Sequence, residues 1–80
     1  FTSRAFIEYE VLTAGLAQLA IYDAAGRHVT TLVRDWVEPN RHTVAWDGRD
    51  QTGAPLPAGA YFIRLEAGGE LRTTKITLTR

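Results

Sequence analysis

Eighty residues make one domain and are too few for two. Nine basic and nine acidic residues cancel to a formal charge of zero, so the chain lacks the basic field that non-specific nucleic-acid binding requires. The sequence contains no cysteine, which removes disulfides, thiolate metal sites and a cysteine nucleophile, and no apolar run approaches the ~20 residues of a membrane helix.

Apolar residues recur at every second position almost throughout. In FIEYEVL, Ile7, Tyr9 and Val11 share one face while Phe6, Glu8 and Glu10 share the other, the pattern of a half-buried strand. LAQLAIYD then sets Ala17, Leu19 and Ile21 on one side, and DAAG predicts a hairpin turn with Gly26 where a positive φ is needed. The return strand RHVTTLV carries Val29 and Leu32 three positions apart, which predicts a bulge at Thr30 and Thr31. EPNR predicts a second turn, because Pro39 has no N–H to give a ladder. HTVAW alternates His42, Val44 and Trp46 against Thr43 and Ala45.

The stretch WDGRDQTGAPLPAG comes next. Asp47 and Asp50 offer two carboxylates to a hard cation such as calcium, but the EF-hand spacing is absent and two carboxylates alone are too few. Aspartates also bond the backbone two residues on, which stiffens turns without any ion. The stretch is therefore read as turns followed by an extended lead-in, PLPAG, that delivers Ala60 and Tyr61 to the next strand. AYFIRLEA points Tyr61, Ile63 and Leu65 inward and Phe62, Arg64 and Glu66 outward. Gly68 and Gly69 predict a tight hairpin into ELRTTKITLTR, where Ile76 and Leu78 face the core and Lys75 and Arg80 stay in water. No segment sustains a helical period, so the prediction is an all-β sandwich of six or seven short antiparallel strands.

Few residues propose chemistry. Trp46 shares a face with Val44 and is read as a core aromatic. Trp36 lies in RDWVEPN, where the core pattern lapses. Exposed beside Tyr22 or Phe62, it would make a sugar-stacking platform or a contact with a parent enzyme. As a lid over one end of the sandwich it would be structural, and the lid is the preferred reading. Trp36, Phe62, Lys75 and Arg80 are the interaction candidates. His28 and His42 have no third ligand at zinc spacing, the only serine is Ser3 near a terminus, and no glycine run opens a helix to cradle phosphate. No catalytic residue, metal site or cofactor is assigned, and an enzyme is the least favoured class.

The series IYDAAGRHVTTLV, HTVAWDGRDQTGAPLPAGAYFIRLEAGG and TTKITLT resembles the Ig-like domain of the bacterial flagellar hook-capping protein. It is equally similar to the C-terminal sorting domains of type IX secretion substrates. The resemblance spans about residues 5–80, and the block WDGRD…PAGAYFIRL is its most specific part. Family members often open with an NPF-like segment, whereas this chain opens FTSRAFIEYE. The resemblance implies an Ig-like, fibronectin-like sandwich of about seven strands, forming one domain over residues 1–80. It implies a non-catalytic C-terminal module of a larger exported protein, found secreted or at the bacterial cell surface. The implied roles are secretion sorting and cell-surface attachment, and the implied partners are secretion machinery or cell-envelope components and an upstream catalytic domain. The competing readings are a carbohydrate-binding module of a glycoside hydrolase and a hook-cap-like assembly scaffold.

Overall fold

Six strands form where the alternation predicts them: β1 (Ala5–Val11), β2 (Gly15–Asp23), β3 (His28–Val37), β4 (Asn40–Trp46), β5 (Gly59–Ala67) and β6 (Glu70–Leu78). The computed structural model describes residues 1–79, so Arg80 lies outside the described residues. All pairing is antiparallel, with β1 and β4 making one sheet and β3-β2-β5-β6 the other. The expected count of about seven strands is corrected to six. Residues 47–58 contribute no strand and carry only an isolated bridge between Arg49 and Pro55. Pro55 and Pro57 have no N–H to give, so a ladder cannot propagate through that segment.

The two sheets close on each other through the residues whose parity points inward. Leu19 and Ile21 of β2, Tyr61 and Ile63 of β5, Leu78 of β6 and Trp46 of β4 form the buried centre. Ile7, Tyr9, Val44, Leu65 and Ile76 close around it, half-buried. Trp46 is 1% exposed, its ring edge-on to Tyr61 at 5.4 Å and tilted against Phe1 at 5.3 Å. Aromatic pairs in this geometry add about 0.5–1.5 kcal/mol beyond their burial.

Two irregularities in β3 differ from the single bulge expected at Thr30 and Thr31. The register against β2 shifts once between Leu19 and Ala20 and again between Ile21 and Tyr22. The unpaired residues of β3 are Leu32 and Val29, on either side of the Thr30–Thr31 pair. Each bulge resets the alternation, and Val29, Leu32 and Val33 all pack against the core as a result. The turn expected at EPNR is a crossover: Glu38 and Pro39 carry the chain from the four-stranded sheet to the two-stranded one. Gly68 and Gly69, at φ 59° and 78°, make the two-residue β5–β6 hairpin, where both positions require positive φ.

The connector from Trp46 to Gly59 is held by its own side chains. Asp50 Oδ1 accepts from the Thr52 hydroxyl at 2.7 Å, the Thr52 N–H at 2.9 Å and the Ala54 N–H at 3.0 Å. These bonds, the Thr52 hydroxyl foremost, hold the Asp50 carboxyl below the usual carboxylate range. Asp47 accepts from the Arg49 N–H, Trp46 Nε1–H donates to the Arg49 carbonyl, and the Tyr61 hydroxyl donates to the Pro57 carbonyl. Gln51 N–H donates to the Val29 carbonyl, which ties the connector to β3. Asp23 does the same work in the first hairpin. It accepts from the Arg27 and Ala25 N–H groups and pairs with the Arg27 guanidinium, and its carboxyl is likewise lowered, first by the Arg27 N–H bond.

Candidate interaction surface

The strand alternation that buries one face of the four-stranded sheet displays the other, and most of the candidates arrive on that displayed face. The β2–β5 and β5–β6 registers set Tyr22, Phe62 and Lys75 side by side, with His28 of β3 opposite Tyr22. His28 meets the Tyr22 ring edge-on at 5.6 Å. The next row is Thr31, Ala20, Arg64 and Thr73. The Arg64 guanidinium carbon sits 5.8 Å from the centre of the Tyr22 ring, a cation–π contact. Its Nε is buried without a hydrogen-bond acceptor and lies 3.6 Å from Glu66 Oε1, an ion pair longer than a hydrogen bond. Ala20 is only 2% exposed although it faces outward, because the longer side chains of these two rows stand around it.

Trp36 lies further along the same face, directly opposite Leu16. It is 63% exposed, which overturns the lid reading. Trp36 precedes the crossover at Glu38 and Pro39 and stays in register with β2, so its parity turns it away from the core. Leu16 and Tyr22 are six positions apart on β2, about 20 Å at the usual strand rise. Trp36 and Phe62 therefore share a face without forming one aromatic row; Gln18, Arg34, Ala20 and Thr31 stand between them.

The face is basic as well as aromatic. Arg34, Arg64 and Lys75 stand against Glu66 alone among its charged side chains, taken over the described residues. The outer face of the β1–β4 sheet has the opposite bias, with Glu8 and Glu10 flanking Arg41 at 3.3 and 4.0 Å. A chain neutral overall thus presents one basic and one acidic side. The sequence reading did not single out Arg64 or Leu16, although an apolar or cationic side chain at an outward parity was the signal available for each.

Asp47 and Asp50 remain on the connector, away from this face. Asp47 also pairs with Arg49 at 3.8 Å, so both carboxylates are engaged by neighbouring protein groups. Among the described residues no group of three or more His, Cys, Asp or Glu is assembled that could hold a metal ion. His42 Nε2–H donates to the Glu38 carbonyl at 2.9 Å, and its ring stacks on Tyr9 at 5.4 Å. Burial there raises the Tyr9 hydroxyl above its usual pKa.

No curated protein and no solved structure matches the chain. The sequence model of the FlgD Ig-like domain matches residues 10–70, from the end of β1 to the start of β6, and that span takes in the connector and both inner strands of the four-stranded sheet. With three-quarters of its length matched and an all-antiparallel two-sheet architecture, this chain belongs to the family of FlgD Ig-like domains, named for the flagellar hook-capping protein.

Proposed function

We propose that this domain is a non-catalytic accessory module of an exported bacterial protein, acting in secretion sorting and cell-surface attachment. Its means of action is recognition of a folded surface by the basic, aromatic outer face of the four-stranded sheet. The observation that carries the reading is the row Tyr22, Phe62 and Lys75 with Arg64 above Tyr22. Aromatic rings on a sheet lose little entropy on docking, and the cations beside them suit an envelope or secretion component of acidic surface. The partners on this reading are secretion machinery or cell-envelope components, with an upstream catalytic domain as cargo, and the destination is the cell surface or the medium.

The test is a parent protein carrying Phe62→Ala with Lys75→Gln. Both side chains are outside the buried centre, so the domain stays folded, and the parent should accumulate inside the cell instead of at its surface. Normal surface display of the folded variant would exclude recognition through this row. A second reading, an assembly scaffold like the hook cap, is favoured by the family match itself. It would be separated from the first by the neighbouring genes and by whether the parent assembles into a larger object.

A further inference from the structure

The two edges of the four-stranded sheet are unlike. β3 is broken by two bulges, a device that blunts an edge against further pairing. β6 pairs with β5 along its whole length without a shift of register, contains no proline, and is exposed from Glu70 to Lys75. Among the described residues, only Phe1 bonds the backbone of its free edge. The Phe1 amino group donates to the Thr77 carbonyl at 2.8 Å, and the Thr79 N–H donates to the Phe1 carbonyl at 2.7 Å. A residue bonded in this way to the positions just before and just after its partner makes one rung of a parallel ladder, here Phe1 beside Leu78. The side chains agree with that rung. Leu78 is buried, and the Phe1 ring points to the same side, 5.3 Å from Trp46. The chain then leaves β6 at once, because Ala5 is already paired in the other sheet.

The rung fixes which groups of β6 are left over. Thr77 and Thr79 turn backbone groups to the free edge. Successive residues of a strand turn theirs to opposite sides, so Lys75, Thr73 and Leu71 also face the edge while the even-numbered residues bond β5. The rung fixes direction too: residues ahead of Phe1, continuing the ladder, run back along β6 toward its start. We infer that the stretch joining Phe1 to an upstream domain docks on this edge as a parallel fifth strand of the sheet. The second residue ahead of Phe1 gives its N–H to the Lys75 carbonyl and takes the Thr77 N–H. The fourth gives its N–H to the Thr73 carbonyl and takes the Lys75 N–H. Their side chains fall beside Ile76 and Thr74, which are half-buried and exposed, so neither place is filled. Addition of this kind draws its affinity from main-chain bonds and needs an extended peptide more than a particular sequence. The upstream domain is then held near the Gly68–Gly69 hairpin instead of swinging from the Trp46 end of the sandwich. The inference rests on the reading that a larger protein carries this domain, and on no particular role for that protein.

Amide hydrogen exchange, followed by NMR on two chains, tests it. One is the chain itself, and the other carries in addition the roughly eight residues that precede Phe1 in the parent, enough to run the length of β6. In the longer chain the Thr77 and Lys75 N–H groups should exchange about tenfold more slowly or better. The Thr74 and Ile76 N–H groups, already bonded to β5, should change little. Proline at the second position ahead of Phe1 has no N–H for the Lys75 carbonyl and should abolish the protection. Proline at the first position, where the N–H faces away from β6, should leave it intact. Equal exchange in the two chains overturns the inference, as does protection that survives proline at the second position. Protection in the shorter chain that rises with its concentration would assign the edge to a second copy, and overturns it as well. These readouts do not depend on where the parent travels, so their failure and a failure of the surface-display test are told apart.

Discussion

The two faces of the four-stranded sheet are made by the same strands, residue by residue in alternation, and they differ in almost every physical respect. Ala17, Leu19 and Ile21 of β2 are inaccessible to water, whereas Leu16, one position away, is 64% exposed. Trp46 and Trp36 make the same contrast between equal side chains, at 1% and 63%. The inner face holds the fold by burying apolar area at about 25 cal/mol per Å². The outer face adds little to folding; Leu16, Trp36, Leu71 and Lys75 stand exposed on it, while Tyr22, Phe62 and Arg64 are half-buried among their neighbours. A one-residue change of register would exchange the two roles, so the bulges of β3 at Val29 and Leu32 matter as much to the displayed surface as to the core.

The most severe way to break this contrast is to remove residues from Lys75 onward. Ile76 and Leu78 would be lost from the core, and β5 would lose half its pairing with β6. Truncating a buried leucine or isoleucine costs about 2–5 kcal/mol, so two anchors rival a total stability on the order of 5–10 kcal/mol. The truncated chain should be unfolded by circular dichroism at 25 °C. A cooperative melt would mean that the inner layer does not depend on its edge strand.

Replacing each tryptophan by alanine measures the contrast directly. Trp46→Ala should cost about 3–5 kcal/mol in urea unfolding, since it opens a cavity against Phe1 and Tyr61 and removes the bond to the Arg49 carbonyl. Trp36→Ala at micromolar concentration should fall within about 0.5 kcal/mol of the parent chain. Equal costs would show that the outer face also carries stability.

A smaller effect separates the turns from both faces. Folding lowers the Asp23 and Asp50 pKa values, so their ionised forms favour the native state. The stability they supply is complete above the ordinary carboxylate value of about 3.9, and is lost as pH falls through the lower folded values. Asp23→Asn with Asp50→Asn should therefore lower the melting temperature at pH 7 and flatten its dependence below pH ~4. Calcium and chelator should leave the melting temperature of the parent chain unchanged, since both connector carboxylates are occupied by N–H, hydroxyl or guanidinium groups. A clear rise with calcium would make the connector a metal loop.

Alternation was enough to place the strands and the inward residues of all but β3, and the glycine turn signals placed both hairpins. Side-chain direction repeats every two residues, and only one phase of each strand is apolar enough to be buried. Trp46, Tyr61 and Leu78 could be assigned to the core for that reason, and WDGRDQTG to turns from the local bonding of aspartate. The sequence could not decide which strands share a sheet, because pairing joins residues far apart in the chain: β1 to β4 and β2 to β5. Nor could it place Trp36, since the crossover at Glu38 and Pro39 and the two bulges of β3 lie on either side of it and each disturbs the phase. Tertiary structure settled those points. Long-range pairing fixed which outward side chains became neighbours, bringing Phe62 beside Lys75 and Leu16 against Trp36, and so decided what surface a neutral 80-residue chain presents.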